Sequence, residues 1–528
     1  MISIVTTNDL HGHVESLPML GGYLRQLRAV REREGGAVLL VDAGDMFQGT
    51  LESNLSEGAA VVAAYNALKY DAAAVGNHEF DFGPAGPAAV ASAADDARGA
   101  LKARAAEAKF PILMANVVEE STGAPPAWPN MPPSVVLDVM GVKVGVIGVT
   151  TENTAKTTIA ANFVGLKVTP LKDAVAREAE ALRGQGAEVI VALAHAGGTC
   201  RSFDDPADLR SCTMSDELFA LADTLPRGTI DVLVGGHTNT GLAHLVNGIA
   251  VVEAFNYGKA FGRVDVTFDP KTRKLVSATP LPPKEMCLSN TQGKCKATRY
   301  EGSDDPVKAD PAIEAVLLPS RQATEKLEAE PLGVTVEQFL WRANVEESAL
   351  GNFMTDQMRK ARPDADVAIS NGGALRADLP LGPMTYGHLY RAFPFDNTFA
   401  TGTMSAADLA QILAKNLTGP GPILTMSGLR AQASCSGPTL EVTLTREDGS
   451  PIVGSTMLRV VTSDFLSTGG DGLLGVRDFV IEAEQIREAI AANMRAAMGS
   501  TLKADQFFAP TARRIRYSGQ RPVRCAIR

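Results

Sequence analysis

A set of short runs, Ile2–Thr7, Val38–Val41, Ala72–Val75, Val142–Gly148, Val189–Ala194 and Val232–Val234, is almost unbroken apolar sequence rather than an alternation of apolar and polar residues. A strand that is apolar on both sides needs cover on both sides, which confines such runs to sheets buried between other layers. Helix-like segments fall between them, near Leu20–Glu34, Gly58–Leu68, Ala85–Ala108, Leu171–Arg183 and Ser215–Ala222. Val135–Val139 and Val142–Gly148 read as a hairpin turned at Met140-Gly141, and Ile249–Glu253 and Gly262–Phe268 read as the strands that finish the sheet. The class expected is therefore α/β, a layered sandwich of two sheets with helices outside.

At 528 residues the chain exceeds what one core can organise, and about two or three domains are expected. The α/β pattern fills residues 1–308, ending in the polar, Pro- and Gly-interrupted stretch Leu275–Asp310. Residues 309–332 read as a linking helix with proline near its start, and 333–528 as a second domain of mixed α and β. A formal net charge of −10 argues against a nucleic-acid polymer as partner, though not against a small anion held by a local cation. No apolar run approaches the roughly 18 residues of a transmembrane helix, and no secretory signal is visible ahead of Ile2–Thr7. Against that, Cys200, Cys212, Cys287, Cys295, Cys435 and Cys525 show no CxxC zinc spacing. Pairing by proximity gives Cys200–Cys212, Cys287–Cys295 and Cys435–Cys525, although six cysteines admit many connectivities. Such bridges imply an exported protein whose signal was trimmed or whose start lies upstream.

The ends of the apolar runs carry the chemistry. Ile2–Thr7 is followed by Asp9 and His11, Val38–Val41 by Asp45, Ala72–Val75 by Asn77 within GNHEFD, Val189–Ala194 by His195, and Val232–Val234 by His237 and Asn239. In layered α/β folds the carboxyl ends of neighbouring strands meet at one crevice, so these distant side chains can converge. Gly44, Gly76, Gly235 and Gly236 beside them suit tight turns. Carboxylates mixed with imidazoles, with no thiolate, suit Mn, Zn, Fe or Co as divalent ions. The set is too large for one ion and fits two ions about 3.5–4 Å apart sharing a carboxylate, an arrangement that activates water for displacement at phosphorus.

TNDLHGH, DAGDMFQG, GNHEFD, ALAHAGG and GGHTN, in this order, resemble the motifs of the 5′-nucleotidase family, whose first part is a calcineurin-like metallophosphoesterase domain. The resemblance implies that Asp9, His11, Asp45 and Asn239 hold one metal, and that Asp45, Asn77, His195 and His237 hold the other, with Asp45 bridging. It implies that His78 is not a ligand but the catalytic histidine, oriented by Asp81. His13 is read as a neighbour of the first motif, and His244 and His388 as structural or surface residues.

The second domain matches the same family through ESALGNFMTDQM, SNGGALRADLP, AFPFDNTF and TSDFLSTGGDG. By motif, Asn371 and Arg376 face the phosphate or ribose, Arg376 also aiding catalysis. Phe395 and Phe465 sandwich the base at about 1–3 kcal/mol per stack, and Asp471 takes the ribose hydroxyls. One departure is Asn344, where the family often has arginine, with Arg342 two positions away. The activity implied is removal of the 5′-phosphate from nucleotides, monophosphates first, with UDP-sugars, 2′,3′-cyclic nucleotides and NAD within the family's range. The alternatives are a thiosulfohydrolase-like enzyme on the same fold and a degenerate nucleotide-binding or adhesion protein.

Overall fold

The computed structural model describes residues 1–86, 91, 94–269, 272, 274–286, 288–289, 295–296, 305–474 and 478–525. They form two compact units, one of Met1–Gln322 less two short segments and one centred on Ala323–Arg528. The boundary falls inside the helix Pro311–Glu328.

The first unit contains β1 (Ile2–Thr7), β2 (Ala37–Asp42), β3 (Ala72–Ala74), β4 (Ile112–Leu113), β5 (Val117–Glu119), β6 (Ser134–Val139) and β7 (Val142–Thr150), then β8 (Leu166–Val168), β9 (Val189–His195), β10 (Val232–Val234), β11 (Gly241–Val246), β12 (Ile249–Ala254), β13 (Ala260–Phe268) and β14 (Leu275–Glu285). One sheet runs β14-β13-β1-β2-β3-β4 and a second runs β11-β12-β10-β9-β7-β6. Within each, β1-β2-β3-β4 and β7-β9-β10-β12 are parallel. The antiparallel strands lie toward the outside.

Alternate residues of each strand explain the unbroken apolar runs. Ile2, Ile4, Leu39 and Val41 of the first sheet pack with Val144, Val146, Val191, Leu193 and Val234 of the second in one buried core. The intervening residues Val5, Leu40 and Ala73 face the helices Leu17–Arg33 and Ala59–Leu68 through Leu20, Leu24, Leu27, Val61 and Tyr65. On the other side Ile147, Ile190, Ala192 and Leu233 face Leu171–Gly184 and Glu217–Thr224. Two sheets face to face with helices outside is the α/β sandwich expected.

Several elements differ from the sequence reading, among them the short strands β5 and β8, which pair with each other. Of the helix expected over 85–108, the described residues form helix at Gly99–Glu107, Gly86 stands at φ +98°, and part of the stretch between lies outside the described residues. Strand β11 was not expected, yet Asn247 and Gly248, at φ +53° and +85°, turn it tightly into β12. Strand β14 extends a sheet through a stretch read as connecting polar sequence, and its Pro280, Pro282 and Pro283 are tolerated because it is the sheet's edge. The hairpin at Met140-Gly141 forms as read, with φ +56° and +78°.

In the second unit a five-stranded sheet runs Leu424–Ser427, Val367–Asn371, Met457–Ser463, Thr398–Ser405 and Val480–Gln485. The helices Ala349–Ala361, Ala406–Thr418 and Ile486–Ala496 accompany it. Among the described residues Cys200–Cys212 and Cys435–Cys525 are disulfide-bonded, and Cys287 of the expected Cys287–Cys295 pair lies outside them. The described residues contain no helix long and apolar enough to cross a membrane.

Cys435–Cys525 closes a loop with a sequence separation of 90 and ties the strand Leu429–Ser436 to the C-terminal segment. Replacing both cysteines with serine should cost about 2–5 kcal/mol of the second unit's stability in urea titrations. Unreduced peptide maps should recover the 200–212 and 435–525 cross-links as linked peptides.

Candidate metal centre

Each candidate ligand of the first unit stands at, or within a few residues of, the carboxyl end of a parallel strand. Asp9 and His11 follow β1, Asp45 follows β2, Asn77 follows β3, His195 ends β9, and His237 and Asn239 follow β10. Ligand atoms of Asp9, His11 and Asp45 lie within 4.8 Å of one another, as do those of Asp45, His195 and His237, so Asp45 belongs to both groups.

The two oxygens of Asp45 are used differently. Oδ1 accepts the backbone N–H of His78 at 2.9 Å. Oδ2 lies 3.0 Å from His195 Nε2 and 3.6 Å from His11 Nε2. Both imidazoles are fixed from behind: His195 Nδ1 lies 2.9 Å from the carbonyl of Ala43 and His11 Nδ1 lies 2.8 Å from that of Gln48. With a proton on each Nδ1, the Nε2 lone pairs are left facing Asp45. Asn77 Oδ1 adds a third acceptor 3.1 Å from His195 Nε2, while its amide donates to the carbonyl of Thr157. Asn239 donates Nδ2–H to the carbonyl of His237, and its buried Oδ1 has no hydrogen-bond partner. Oxygen and imidazole lone pairs converging in a buried space, with an orphaned amide oxygen nearby, fit divalent cations.

The electrostatics carry the same signature. Burial opposes charge on His195, but Asp45 beside it wins, and its pKa is pushed up to about 10. Burial also opposes charge on Asp45, yet His195 and His78 hold it well below the usual carboxylate range. Burial pushes Asp9 up to about 6 despite His195. A proton on His195 and a divalent cation are alternative ways of meeting the same local demand for positive charge.

The backbone is bent to make this cluster. Asp9, His11, Asp45, His237 and Asn239 adopt φ of +48°, +49°, +57°, +75° and +60°. Left-handed backbone costs an ordinary residue about 1–2 kcal/mol. Of the glycines expected to supply turns, Gly44 does so at φ +96°, while Gly76 supplies space instead: a side chain there would run into Asp45.

His78 forms a dyad with Asp81, Nδ1 to Oδ2 at 2.5 Å, and Asp81 Oδ1 accepts the hydroxyl of Thr158 at 2.9 Å. The His78 ring centre is 5.2 Å from that of His11. Two buried carboxylates at the site were given no role in the sequence reading. Glu79 accepts backbone N–H groups from Gly76, Asp45, Met46 and Phe47, and Glu253 accepts from Thr238 Oγ1 and the Thr240 N–H around the His237–Asn239 turn. Their signal was available: Glu79 sits inside GNHEFD, and Glu253 stands at the end of an apolar run like the candidate ligands.

His13 stacks on Tyr257, whose ring also meets His11 edge-on. His244 is buried beside the Cys200–Cys212 bridge, 3.6 Å from Cys212 Sγ, and His388 completes a helix cap with Thr385.

In the second unit, Asn371 Nδ2 donates to Asp471 Oδ2 at 2.7 Å. Burial pushes Asp471 up to about 6, against this bond and the nearby charge of Arg376. The Arg376 guanidinium lies 5.1 Å from the centre of the Phe395 ring, and Phe465 packs against Gly470, next to Asp471. Asn371, Arg376, Phe395, Phe465 and Asp471 thus form one neighbourhood at the strand ends Asn371 and Ser463.

The profile described as calcineurin-like phosphoesterase matches residues 2–240, and that of the 5′-nucleotidase C-terminal domain matches 329–477. Endonuclease YhcR of Bacillus subtilis is 28% identical over 81% of this chain, which spans only 34% of that longer protein. A 5′-nucleotidase of Vibrio cholerae is 26% identical over 93% of this chain and 90% of its own length. Among solved structures, a 5′-nucleotidase precursor of Thermus thermophilus matches with TM-score 0.73 at 24% identity, covering 95% of this chain and 97% of its own. A sulfate thiohydrolase, SoxB, of the same organism matches with TM-score 0.70 at 17% identity, covering 99% and 97%. At these identities the structural likenesses concern the fold alone. The calcineurin-like match implies divalent metal ions, and the convergent groups around Asp45 are where the structure offers to hold them.

Adding Mn²⁺ to chelator-treated protein should raise its thermal midpoint, since a ligand at about 100 times its Kd stabilises by about 2.7 kcal/mol. Asp45→Asn should remove most of that shift in the same calorimetric scan.

Proposed function

Because the chain belongs to the 5′-nucleotidase family of metallophosphoesterases, we propose that it is a two-metal hydrolase releasing the 5′-phosphate of nucleotides, nucleoside monophosphates above all. Metal-dependent phosphoester hydrolysis is the chemistry of the family; the number of ions, the substrate and the residue roles are our reading. UDP-sugars, 2′,3′-cyclic nucleotides and NAD are the further substrates to be tested. The observation that carries this reading is the divided use of Asp45: Oδ1 is taken by the His78 amide, and Oδ2 is shared between the His11 and His195 sides.

In this reading Asp9, His11, Asp45 and Asn239 hold one ion and Asp45, Asn77, His195 and His237 the other, the ions being Mn, Zn, Fe or Co. When bound, such a pair polarises the phosphoryl group and activates water for in-line attack. The water oxygen bonds to phosphorus, the ester bond to the nucleoside oxygen breaks, and the leaving oxygen takes a proton, giving nucleoside and inorganic phosphate. The chain's own contribution is electrostatic. With Nδ1 committed to Asp81, the His78 ring is held in one orientation, from which a protonated imidazole would oppose the negative charge that builds on the phosphoryl group.

Asn371, Arg376, Phe395, Phe465 and Asp471 are assigned to the nucleotide. The two rings take the base, Asp471 the ribose hydroxyls, and Arg376 the phosphate, where it also stabilises the transition state. A thiosulfohydrolase-like reaction has the fold likeness in its favour. The Asn371–Asp471 pair and the Arg376–Phe395 stack suit a nucleoside better. The bridged cysteines support a periplasmic or extracellular working place.

Phosphate release should be measured on AMP, UDP-glucose, a cyclic nucleotide, NAD and an aryl phosphate, each with and without chelator. Release that survives chelation on every substrate would reject the two-metal reading. Asp45→Asn should lower kcat at least about 100-fold. His78→Asn should cut kcat by about 100- to 1000-fold while leaving metal content intact; loss of the ions instead would make His78 a ligand. Phe465→Ala should raise KM for AMP about tenfold, the loss of one base stack, and leave the aryl phosphate unaffected.

A further inference from the structure

Glu79 is 1% exposed and lies in the middle of GNHEFD, two residues from Asn77 and one from His78. A buried acid in that position invites reading as a ligand, but it is not part of either convergent group around Asp45. Its oxygens face the backbone instead. Oε2 accepts the N–H of Gly76 at 2.7 Å and of Asp45 at 2.8 Å, and Oε1 accepts the N–H of Met46 at 2.6 Å and of Phe47 at 3.3 Å. One carboxylate therefore joins the loop after β2, which carries Asp45, to the loop after β3, which carries Asn77.

The connection matters because the loop after β2 is strained at Asp45 and lies hard against the loop after β3. Asp45 sits at φ +57° and Gly44 at +96°, and Gly44 approaches the Gly76 backbone so closely that an added Cβ would lie 2.7 Å from the Gly76 nitrogen. No ladder hydrogen bonds pair these two segments, because β2 and β3 are paired only at Val41–Ala72 and Asp42–Ala73. Beyond that point the N–H groups of Asp45, Met46 and Gly76 would be buried donors without acceptors, were it not for Glu79.

We propose that Glu79 is a positioning residue for the metal centre: by gathering these amides on one carboxylate, it sets the distance between Asp45 and Asn77 and thereby the affinity for the shared ions. This rests on the two-metal reading above. Residues that orient ligands typically cost about 10–100-fold in metal affinity when lost.

Glu79→Gln keeps the size of the side chain but trades one acceptor oxygen for an NH₂ that meets N–H donors head-on. Glu79→Asp keeps the charge on an arm too short to serve both loops. Mn²⁺ affinity, measured by competition with a chelator of known affinity, should fall about 10–100-fold in Glu79→Gln and by a smaller factor in Glu79→Asp. In both, kcat should fall while KM for AMP changes little. Thermal melts of the metal-free proteins separate positioning from mere stability: if either variant is destabilised yet binds Mn²⁺ as the wild type does, the proposal is wrong. Should Glu79→Gln not fold, Glu79→Asp alone decides by the same measure. Asp45→Asn serves as the control. If it too leaves Mn²⁺ affinity unchanged, the two-metal reading fails. If it abolishes binding while the Glu79 variants bind normally, only the role of Glu79 falls.

Discussion

Lone pairs cannot crowd together inside a protein without positive charge among them, and the first unit is built around such a crowd. Asp45 Oδ2 and Asn77 Oδ1 stand 3.0 and 3.1 Å from His195 Nε2, in a space where each residue is buried. What surrounds them is arranged to make that proximity tolerable. Backbone carbonyls of Ala43 and Gln48 fix the two imidazoles, and the His78 amide occupies the spare oxygen of Asp45. Asn8 donates to Asp9 Oδ2 at 2.7 Å, and the His237 N–H donates to the same carboxylate at 2.9 Å. The left-handed backbone of Asp9, His11, Asp45, His237 and Asn239 is the cost of aiming five side chains from three loops at one region.

The sandwich is what makes that cost bearable. Because each parallel strand is buried on both faces, its position is over-determined by packing from the other sheet and from the helices, and a loop of a few residues inherits that rigidity. Asp42 shows how the register is locked near the site: its carboxylate accepts the hydroxyls of Thr7 and Tyr65 and the amide of Gly44, joining β1, β2 and a covering helix. Glu253 does the same on the second sheet for the turn that bears His237 and Asn239. These carboxylates are anchors, distinguished from candidate ligands only by which donors they face.

The identity of the convergent residues was legible in the sequence because two-sided burial leaves a plain mark, an apolar run, and the strand's carboxyl end is then a fixed address. The way those residues are held was not. A positive φ at Asp9 or His237 has no signature in a single sequence when the residue is not glycine. Glu79 and Glu253 look like any acid beside a histidine motif until the direction of their oxygens is known. The strands β11 and β14 escaped for opposite reasons. The first hid a clear Asn-Gly turn inside an otherwise unremarked segment. The second carries prolines that would exclude it from the middle of a sheet but not from its edge.

The same distinction bears on Asn344, where the sequence resemblance leads to an expectation of arginine. Its carbonyl accepts the N–H of Ile423, and its Cα lies 3.2 Å from where a side chain on Gly372 would begin. Position 344 therefore works here through its main chain, against the segment that leads from Asn371 toward Arg376. Arg342, two residues earlier, donates Nη1–H to the carbonyl of Leu375 at 3.3 Å, and its own amide is held by Asp378 at 2.6 Å. A guanidinium is thus delivered to the carbonyl of Leu375, the residue before Arg376, with an acidic neighbour in Asp378. A long flexible side chain can supply the same charge from two residues away because electrostatic contact depends on where the head group ends, not on where the backbone begins. Position 344 thus contributes main chain to this segment, and Arg342 contributes the guanidinium that reaches the Leu375 carbonyl.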